Sequence, residues 1–450
     1  FTQIQNALLN KARTDFFKYS KGVQQGCILS PLLFNIDINE LATLFDNTSY
    51  DPFILPNGTK LSCLLYADDL IILSRSKFGL QKCLDDLHSW SNKWLMEVNL
   101  KKTQVMIFEK TNSKKAKPIF NLGKKDITIG KEYCYLGIKM NNNGNFTPAL
   151  KQLSEKALHA NSEVWGAYVK NDFNNWDKLP IEKVHLRFCK LYLGVGKKAS
   201  NIAARGELGK FPLIINIFKR LFKYITHLNS LSESAIAKQA FLISKDLFTK
   251  QNTSYYGKAM DILKASNLNT EITDLESMTT ELIQPITKRL KENYLTFWKH
   301  KLENSSKLIF YSTIKIDYEL EKYLSIIKDS NKRKTLTRFR LSNHSLQIET
   351  GRYHNIAREE RLCQLCHSGE VENESHLLLT CEAYGDIRVN FINSLKNDLT
   401  TTEINVNEPT LSVDIMKSTA SDTILKLSKF IFSCFEERLK QLEAGNAGSH

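Results

Sequence analysis

Apolar and polar residues change period along the chain, and the changes mark out its elements. In LSCLLYADDLIILSRS (61–76) two apolar runs flank Asp68 and Asp69. Each run has strand length and no helix breaker, which predicts a β-hairpin with the two acids at its tip. GVQQGCILSP (22–31) reads as a loop that ends in a helix start, with Ser30 as N-cap and Pro31 at the first helical position. That helix runs on to about Phe45. Over 78–95, Leu80, Cys83, Leu84, Leu87, Trp90, Trp94 and Leu95 recur at helical spacing. VNLKKTQVMIF (98–108) returns to strand, and 118–140 holds two or three short strands between glycine and charged turns. NNNGN (141–145) breaks the pattern. Helical periodicity then dominates from Pro148 to Leu228 and, with more polar residues, over 231–335. TILKLSKFIFSCFEERLKQL (423–442) reads as a last amphipathic helix.

Composition narrows this picture. A chain of 450 residues exceeds one ordinary core, and its 42% hydrophobic and 10% aromatic content is enough for more than one. Lys and Arg exceed Asp and Glu by 62 − 48 = 14, which favours a polyanionic partner. No uninterrupted apolar run reaches membrane-spanning length, and the N-terminus lacks a signal-peptide layout. Six of the nine cysteines are scattered through apolar segments, as suits a reducing compartment. The expectation is an intracellular protein with no membrane partner. Because the first residue is Phe, the chain is expected to begin inside a longer protein.

The acid pair raises a chemical question. Ionised carboxylates between apolar strands are costly unless a cation or hydrogen bonds compensate. A hard divalent ion is a natural partner for oxygen ligands, and such pairs suit two-metal phosphoryl or nucleotidyl transfer. Asp is also a common turn residue, so the stretch alone fits an ordinary polar turn equally well.

Cys363, Cys366, His376 and Cys381 stand in the spacing C-x2-C-x9-H-x4-C. Cys363 and Cys366 suit a tight turn that presents two thiolates, and SHLLLTC reads as a helical turn that returns His376 and Cys381 to the same point. Such a set matches a tetrahedral structural zinc site. His367 is a rival ligand but lies too close to Cys366 for easy tetrahedral closure. Basic clusters complete the inventory. Residues 101–125 hold eight lysines against Glu109, 180–225 hold ten Lys/Arg against Glu182 and Glu207, and 328–340 hold six against Asp329. Each fits a phosphate-contacting surface or a solvated helix face. Arg338, Arg340, Arg358 and Arg361 are the candidates beside the cysteine–histidine segment.

Four of these motifs together resemble the palm of a reverse transcriptase of non-LTR (LINE-type, jockey-like) retrotransposons. KGVQQGCILSPLLFNIDINEL (21–41) is similar to the loop and helix under template and incoming nucleotide, and YADD (66–69) to the catalytic hairpin. WLMEVNLKKTQVMIF (94–108) and YLGIKM (135–140) resemble the next helix–strand element and the primer-grip hairpin. The resemblance implies RNA-directed DNA synthesis with two Mg²⁺ ions, an RNA template, a DNA primer or target and dNTP. It implies Asp68 and Asp69 as metal ligands, Tyr66 beside the primer end, and Gly22, Gln25 and Gly26 against the substrate. It implies Lys102 for pyrophosphate, with a solvated lysine as the alternative, and Tyr135 and Gly137 for the primer backbone, with core packing as the alternative for Tyr135. The Cys/His segment resembles the CCHC module of the same elements, and the site of action implied is nuclear.

The corresponding fold class is α+β. A partial palm, an antiparallel sheet with helices, covers 1–140. A helical thumb (141–235), a helical extension (236–335), a small zinc module (336–395), and a polar linker with the C-terminal helix (396–450) follow. One departure stands out. The family's further aspartate, from a strand upstream of GVQQG, has no match in Phe1–Lys21, where Asp15 is the sole acid. The expectation is a C-terminal fragment, without fingers or endonuclease, that is inactive by itself. The alternative function is an element-derived nucleic-acid-binding protein without catalysis.

Overall fold

The computed structural model describes residues 3–5, 8–9, 12–13, 17–19, 28–48, 50–108, 118–136, 138–143, 162–266, 274–366, 368–396 and 410–447. The fold is mixed and rich in helix, with small sheets of two or three strands. The chain divides into two compact units. One joins Phe1–Ala149 to Ser230–Tyr256; the other joins Leu150–Asn229 to Gly257–His450.

In the first unit the short strands β1 (Gln3–Gln5), β2 (Leu8–Leu9), β3 (Ala12–Arg13) and β4 (Phe17–Tyr19) pair antiparallel, β1 with β4 and β2 with β3. Helix α1 (Ser30–Thr48) follows and buries Leu41 and Phe45. Strands β5 (Phe53–Ile54) and β6 (Lys60–Leu61) form one hairpin, and β7 (Cys63–Tyr66) and β8 (Asp69–Ile72) form the next. The apolar run 61–66 is thus shared between two pairings that change over at the buried Ser62. Helix α2 (Lys77–Lys93) opens at Ser76, whose hydroxyl accepts the Gly79 N–H at 3.0 Å. It buries Cys83, Leu84, Leu87 and Trp90 along one face.

Strands β9 (Gln104–Met106), β10 (Phe120–Leu122) and β11 (Lys125–Gly130) make one sheet. β10 turns into β11 through Gly123, which sits at φ +62°. β11 then pairs parallel with β9, where the sequence had suggested only antiparallel pairing. The short apolar period of each strand says which face is buried but not which distant strand lies alongside. A single core joins these parts. It contains Leu41, Phe45, Cys83, Leu84, Leu87, Trp90, Val105, Phe120, Leu122 and Ile127, with Cys63, Leu70 and Ile72 of the acidic hairpin packed against it. Strands β12 (Glu132–Tyr135) and β13 (Ile138–Asn141) form a further antiparallel hairpin. The helix Ile236–Thr249 also belongs to this unit, and Gln239 Oε1 accepts the Asn57 N–H at 3.1 Å.

The described part of the second unit is almost wholly helical. Its helix Leu213–Ser230 is buried along Ile214, Ile217, Phe218, Leu221, Phe222 and Ile225. Helix Pro180–Leu193 stops at Gly194, whose φ of +68° is the left-handed cap that favours glycine. Helix Ile283–Glu303 contributes Leu290, Tyr294 and Trp298 to the interior. The C-terminal helix Ser421–Ala447 packs on Ser330–Arg340 and Gly385–Lys396, with Phe391 and Phe430 stacked 4.5 Å apart. No described helix is long and apolar enough to cross a membrane.

Candidate functional site

Two sites hold the chemistry. The first is the hairpin β7–β8. Tyr66 faces Asp69 across the strands, so Ala67 and Asp68 form a two-residue turn. Ala67 has φ +50°, and Asp68 has no positive φ, as in type II′ turns. Alanine in that conformation is mildly strained, so the apolar anchors Cys63, Leu70 and Ile72 must hold the turn shape. The result lifts both carboxylates and the Tyr66 ring into solvent. Among the described residues no cation forms an ion pair with either acid.

The β12–β13 hairpin reaches the same place. Tyr135 is half-buried, and its hydroxyl is pushed above the ordinary tyrosine range by burial and then by the Asp69 carboxylate. Lys102 is exposed in the turn before β9, where its N–H bonds to the Asn99 carbonyl. Gly22, Gln25, Gly26 and Gly137 lie outside the described residues.

The second site is the cysteine–histidine segment. A bridge between Leu362 and Val371 closes a loop, and the Cys363 N–H donates to the Glu370 carbonyl at 2.8 Å. Asn373 caps the following turn by accepting the His376 N–H at 2.9 Å. The turn His376–Thr380 is wide, and the Cys381 N–H closes it on the His376 carbonyl at 2.9 Å. The outcome is that one ligand atom from each of Cys363, Cys366, His376 and Cys381 lies within 4.8 Å of all the others. The Cys363 and Cys381 sulfurs are 3.8 Å apart, and Cys366 Sγ is 3.4 Å from His376 Nε2. The rival His367 lies outside the described residues. These four groups can hold a metal ion.

Their surroundings were not legible in the sequence spacing. The other ring nitrogen of His376, Nδ1, lies 2.7 Å from Glu370 Oε2 and 2.9 Å from Thr380 Oγ1. A carboxylate behind a histidine fixes its tautomer and orientation at many metal sites. Glu370 is held below the usual carboxylate range by Thr380 and then His376. Burial opposes protonation of His376, but Cys363, Cys366 and Glu370 outweigh it and lift the ring to about 9. Glu372 Oε1 lies 3.7 Å from Cys363 Sγ, and Arg438 from the C-terminal helix grips that carboxylate through both terminal nitrogens. Only the folded chain brings Arg438 here, so no local pattern announces it.

The four candidate arginines divide. Arg338 is exposed, with Nε donating to the Gly194 carbonyl at 2.9 Å. Arg358 is half-buried in the short turn Arg358–Glu360. Arg361 gives its three nitrogens to the Ile348 and Ile356 carbonyls. Arg340 is 3% exposed and binds Glu207 at 2.6 Å and Glu321 at 3.0 Å. A guanidinium so enclosed serves the core and presents nothing to a phosphate.

Residues 2–140, which include both hairpins, match the family of reverse transcriptase (RNA-dependent DNA polymerase). This segment resembles non-LTR retrotransposon reverse transcriptase. Over 144 residues the chain is 30% identical to the retrovirus-related Pol polyprotein from type-1 retrotransposable element R2 of Nasonia vitripennis. Over 142 residues it is 31% identical to a probable RNA-directed DNA polymerase from transposon BS of Drosophila melanogaster. Each alignment takes in 30% of this chain but only 14% and 15% of the respective relative. The family match ends at residue 140, within β13, and the Cys/His site lies well beyond the matched residues.

Proposed function

We propose that the chain works in RNA-directed DNA synthesis by a non-LTR retrotransposon polymerase. Asp68 and Asp69 would hold catalytic Mg²⁺, and the Cys/His set would hold structural Zn²⁺. The observation that carries the first part is the acid pair exposed at a hairpin turn inside the segment that matches reverse transcriptases, with Tyr135 set against Asp69. Mg²⁺, when bound, supplies charge neutralisation at the reacting phosphate and at the primer hydroxyl. The chain supplies placement. The apolar strands of β7–β8 fix the turn that carries the carboxylates, Tyr135 lies near enough to Asp69 to feel its charge, and Lys102 would offer a charge to the departing phosphates. The substrates under this reading are an RNA template, a DNA primer or target end, and dNTP.

The zinc part rests on distances. A tetrahedral ion with Zn–S near 2.3 Å places its sulfurs about 3.8 Å apart, and Cys363 and Cys381 are separated by 3.8 Å. Three thiolates and an imidazole are also the donors zinc prefers.

The test is primer extension on an RNA template by the chain, or by a longer product that contains it, with Mg²⁺ present. Asp68→Asn should cut extension by at least a hundredfold while template binding stays unchanged. Extension at full rate by the Asp68→Asn protein would remove the catalytic assignment. Binding without extension by every form would favour a nucleic-acid-binding role instead.

A further inference from the structure

We propose that the helical unit carries a separate pocket for one unpaired guanine base. A cavity of about 160 Å³ lies between the turn Phe173–Trp176 and the helix Ile283–Glu303. Phe173, Trp176, Tyr294 and Phe297 form its aromatic walls. The Phe173 ring lies 4.7 Å from Trp176, 5.7 Å from Tyr294 and 5.3 Å from Phe297, all in edge-on or tilted contact. A protein cavity of roughly 150 Å³ accommodates a benzene-sized ring. The space therefore suits one flat ring system and is too small for a peptide helix.

The polar lining selects among flat rings. Arg205 is 1% exposed and held by Glu182 and Asp177. Its Nε–H has no hydrogen-bond partner among the described residues. The Tyr294 hydroxyl sits near this guanidinium without a well-aligned bond, and burial lifts it to about 12, so it keeps its proton at neutral pH. Asp177 also lines the cavity with its side chain 27% exposed. Its carboxylate accepts from Arg205 and, at 3.0 Å, from Asn201 Nδ2, and it keeps lone pairs for a further donor.

A purely apolar ring would cover the partly exposed Asp177 carboxylate without offering it a donor, which is costly. A phenylalanine side chain from a protein partner fails on that ground, and an indole brings a donor but no acceptor. A base has both. Guanine places two adjacent N–H donors on one edge, as a carboxylate requires, and its O6 and N7 acceptors are those arginine commonly contacts. The exposed Lys301 lines the same cavity. Along helix Ile283–Glu303 it is joined by Lys288, Arg289, Lys291 and Lys299, against Glu292 and Glu303. Such a flank suits the phosphates on either side of a splayed base. The inference rests on the nucleic-acid-binding part of the proposed function and needs none of the chemistry at Asp68.

The experiment measures anisotropy of labelled single-stranded RNAs bound to the 450-residue chain. One 12-mer is all uridine; the second carries one central guanosine and the third one central adenosine. The guanosine strand should bind several-fold more tightly than either. Base–aromatic stacking sets the scale, so Phe297→Leu should erase about 5- to 100-fold of affinity for that strand, and Phe297→Tyr should retain it. A 6-thioguanosine in the same position should crosslink to residues 173–177 or 294–301 of the unaltered chain, which covers the case of a variant that folds poorly. Equal binding of the three strands, a preference that survives Phe297→Leu, or crosslinks elsewhere would overturn the pocket. Asp68→Asn should leave the preference intact; if the preference holds while the unaltered chain and longer products that contain it extend no primer, only the polymerase reading falls. If no strand binds, both fall together.

Discussion

Arg340 is where structure and sequence pattern give opposite expectations, and a substitution there separates them. Burial opposes its charge and is outweighed by Glu207 and Glu321, so the guanidinium stays protonated. Nε bonds to Glu207, and Nη1 donates to the Met416 carbonyl at 3.0 Å. Glu207 is fully buried and also accepts the Tyr311 hydroxyl at 3.0 Å. Arg340→Met keeps most of the side-chain bulk but leaves Glu207 as a buried carboxylate without its cation. Breaking one side of such a pair costs about 3–5 kcal/mol. For a unit of this size each kcal/mol moves the melting point by roughly 2–4 °C, so the helical unit should melt about 6–20 °C lower. Calorimetry at pH 7 with a separate RNA-binding titration checks this. The double variant Arg340→Met with Glu207→Gln should recover part of the loss, since the buried Glu207 charge is removed together with its cation, while Glu321 keeps Lys315. Below the melting point Arg340→Met should bind RNA as the parent does, whereas Arg338→Ala, at the surface, should bind more weakly and melt normally. Unchanged melting with weakened binding in Arg340→Met would refute the core assignment.

The purified chain should contain about one zinc per molecule by metal analysis, and Cys363→Ser should lose it; a metal content of zero in fresh protein would dismiss the assignment. Glu370→Gln should keep the four ligands yet weaken zinc by about 10–100-fold in a chelator competition, with an unchanged affinity speaking against the Nδ1 contact. His185, 12% exposed and 3.3 Å from the buried Glu182, has its ring lifted to about 9 by Cys189 and Glu182 against the opposing effect of burial. Its charged form is favoured by folding, so this contribution is complete below pH ~6.5 and fades as pH rises towards ~9. It amounts to about 3 kcal/mol; His185→Gln should flatten that decline in urea-unfolding curves taken across the range, and an unaltered slope would rule the residue out.

Much of the first unit was legible because its elements are set by nearby residues. Ser30 and Pro31 announce the start of α1, Ser76 and the repeat from Leu80 to Trp90 define α2, and the apolar runs about Asp68 and Asp69 give the β7–β8 hairpin. Pairing across long separations was not legible. The parallel register of Ile129 with Val105 depends on a sheet that no local period describes. VNLKKTQVMIF yields only the strand Gln104–Met106, since Asn99 accepts backbone bonds that turn the chain at Lys101 and Lys102. At the Cys/His cluster the four candidate ligands were readable from spacing, because Cys363 with Cys366 and His376 with Cys381 stand close in sequence. Glu370, Thr380, Glu372 and Arg438 were not, since only the closed loop and the docked C-terminal helix give them their partners.

The grip of Arg438 on Glu372 has a bearing on the order of synthesis. The two residues are separated by 66 positions, and all four metal-ligand candidates emerge from the ribosome before Arg438 does. At roughly 5–20 residues per second the interval from Glu372 to Arg438 lasts about 3–13 s. Under the proposed zinc reading, the nascent loop must during that time either capture an ion with an unmated carboxylate at its side or wait for the helix that carries Arg438. A message that stops after Cys381 but before Arg438 leaves the protein permanently in that early state, with every candidate ligand present and the clasp missing. Premature termination late in the frame would therefore reach back to the metal loop without deleting any residue of it.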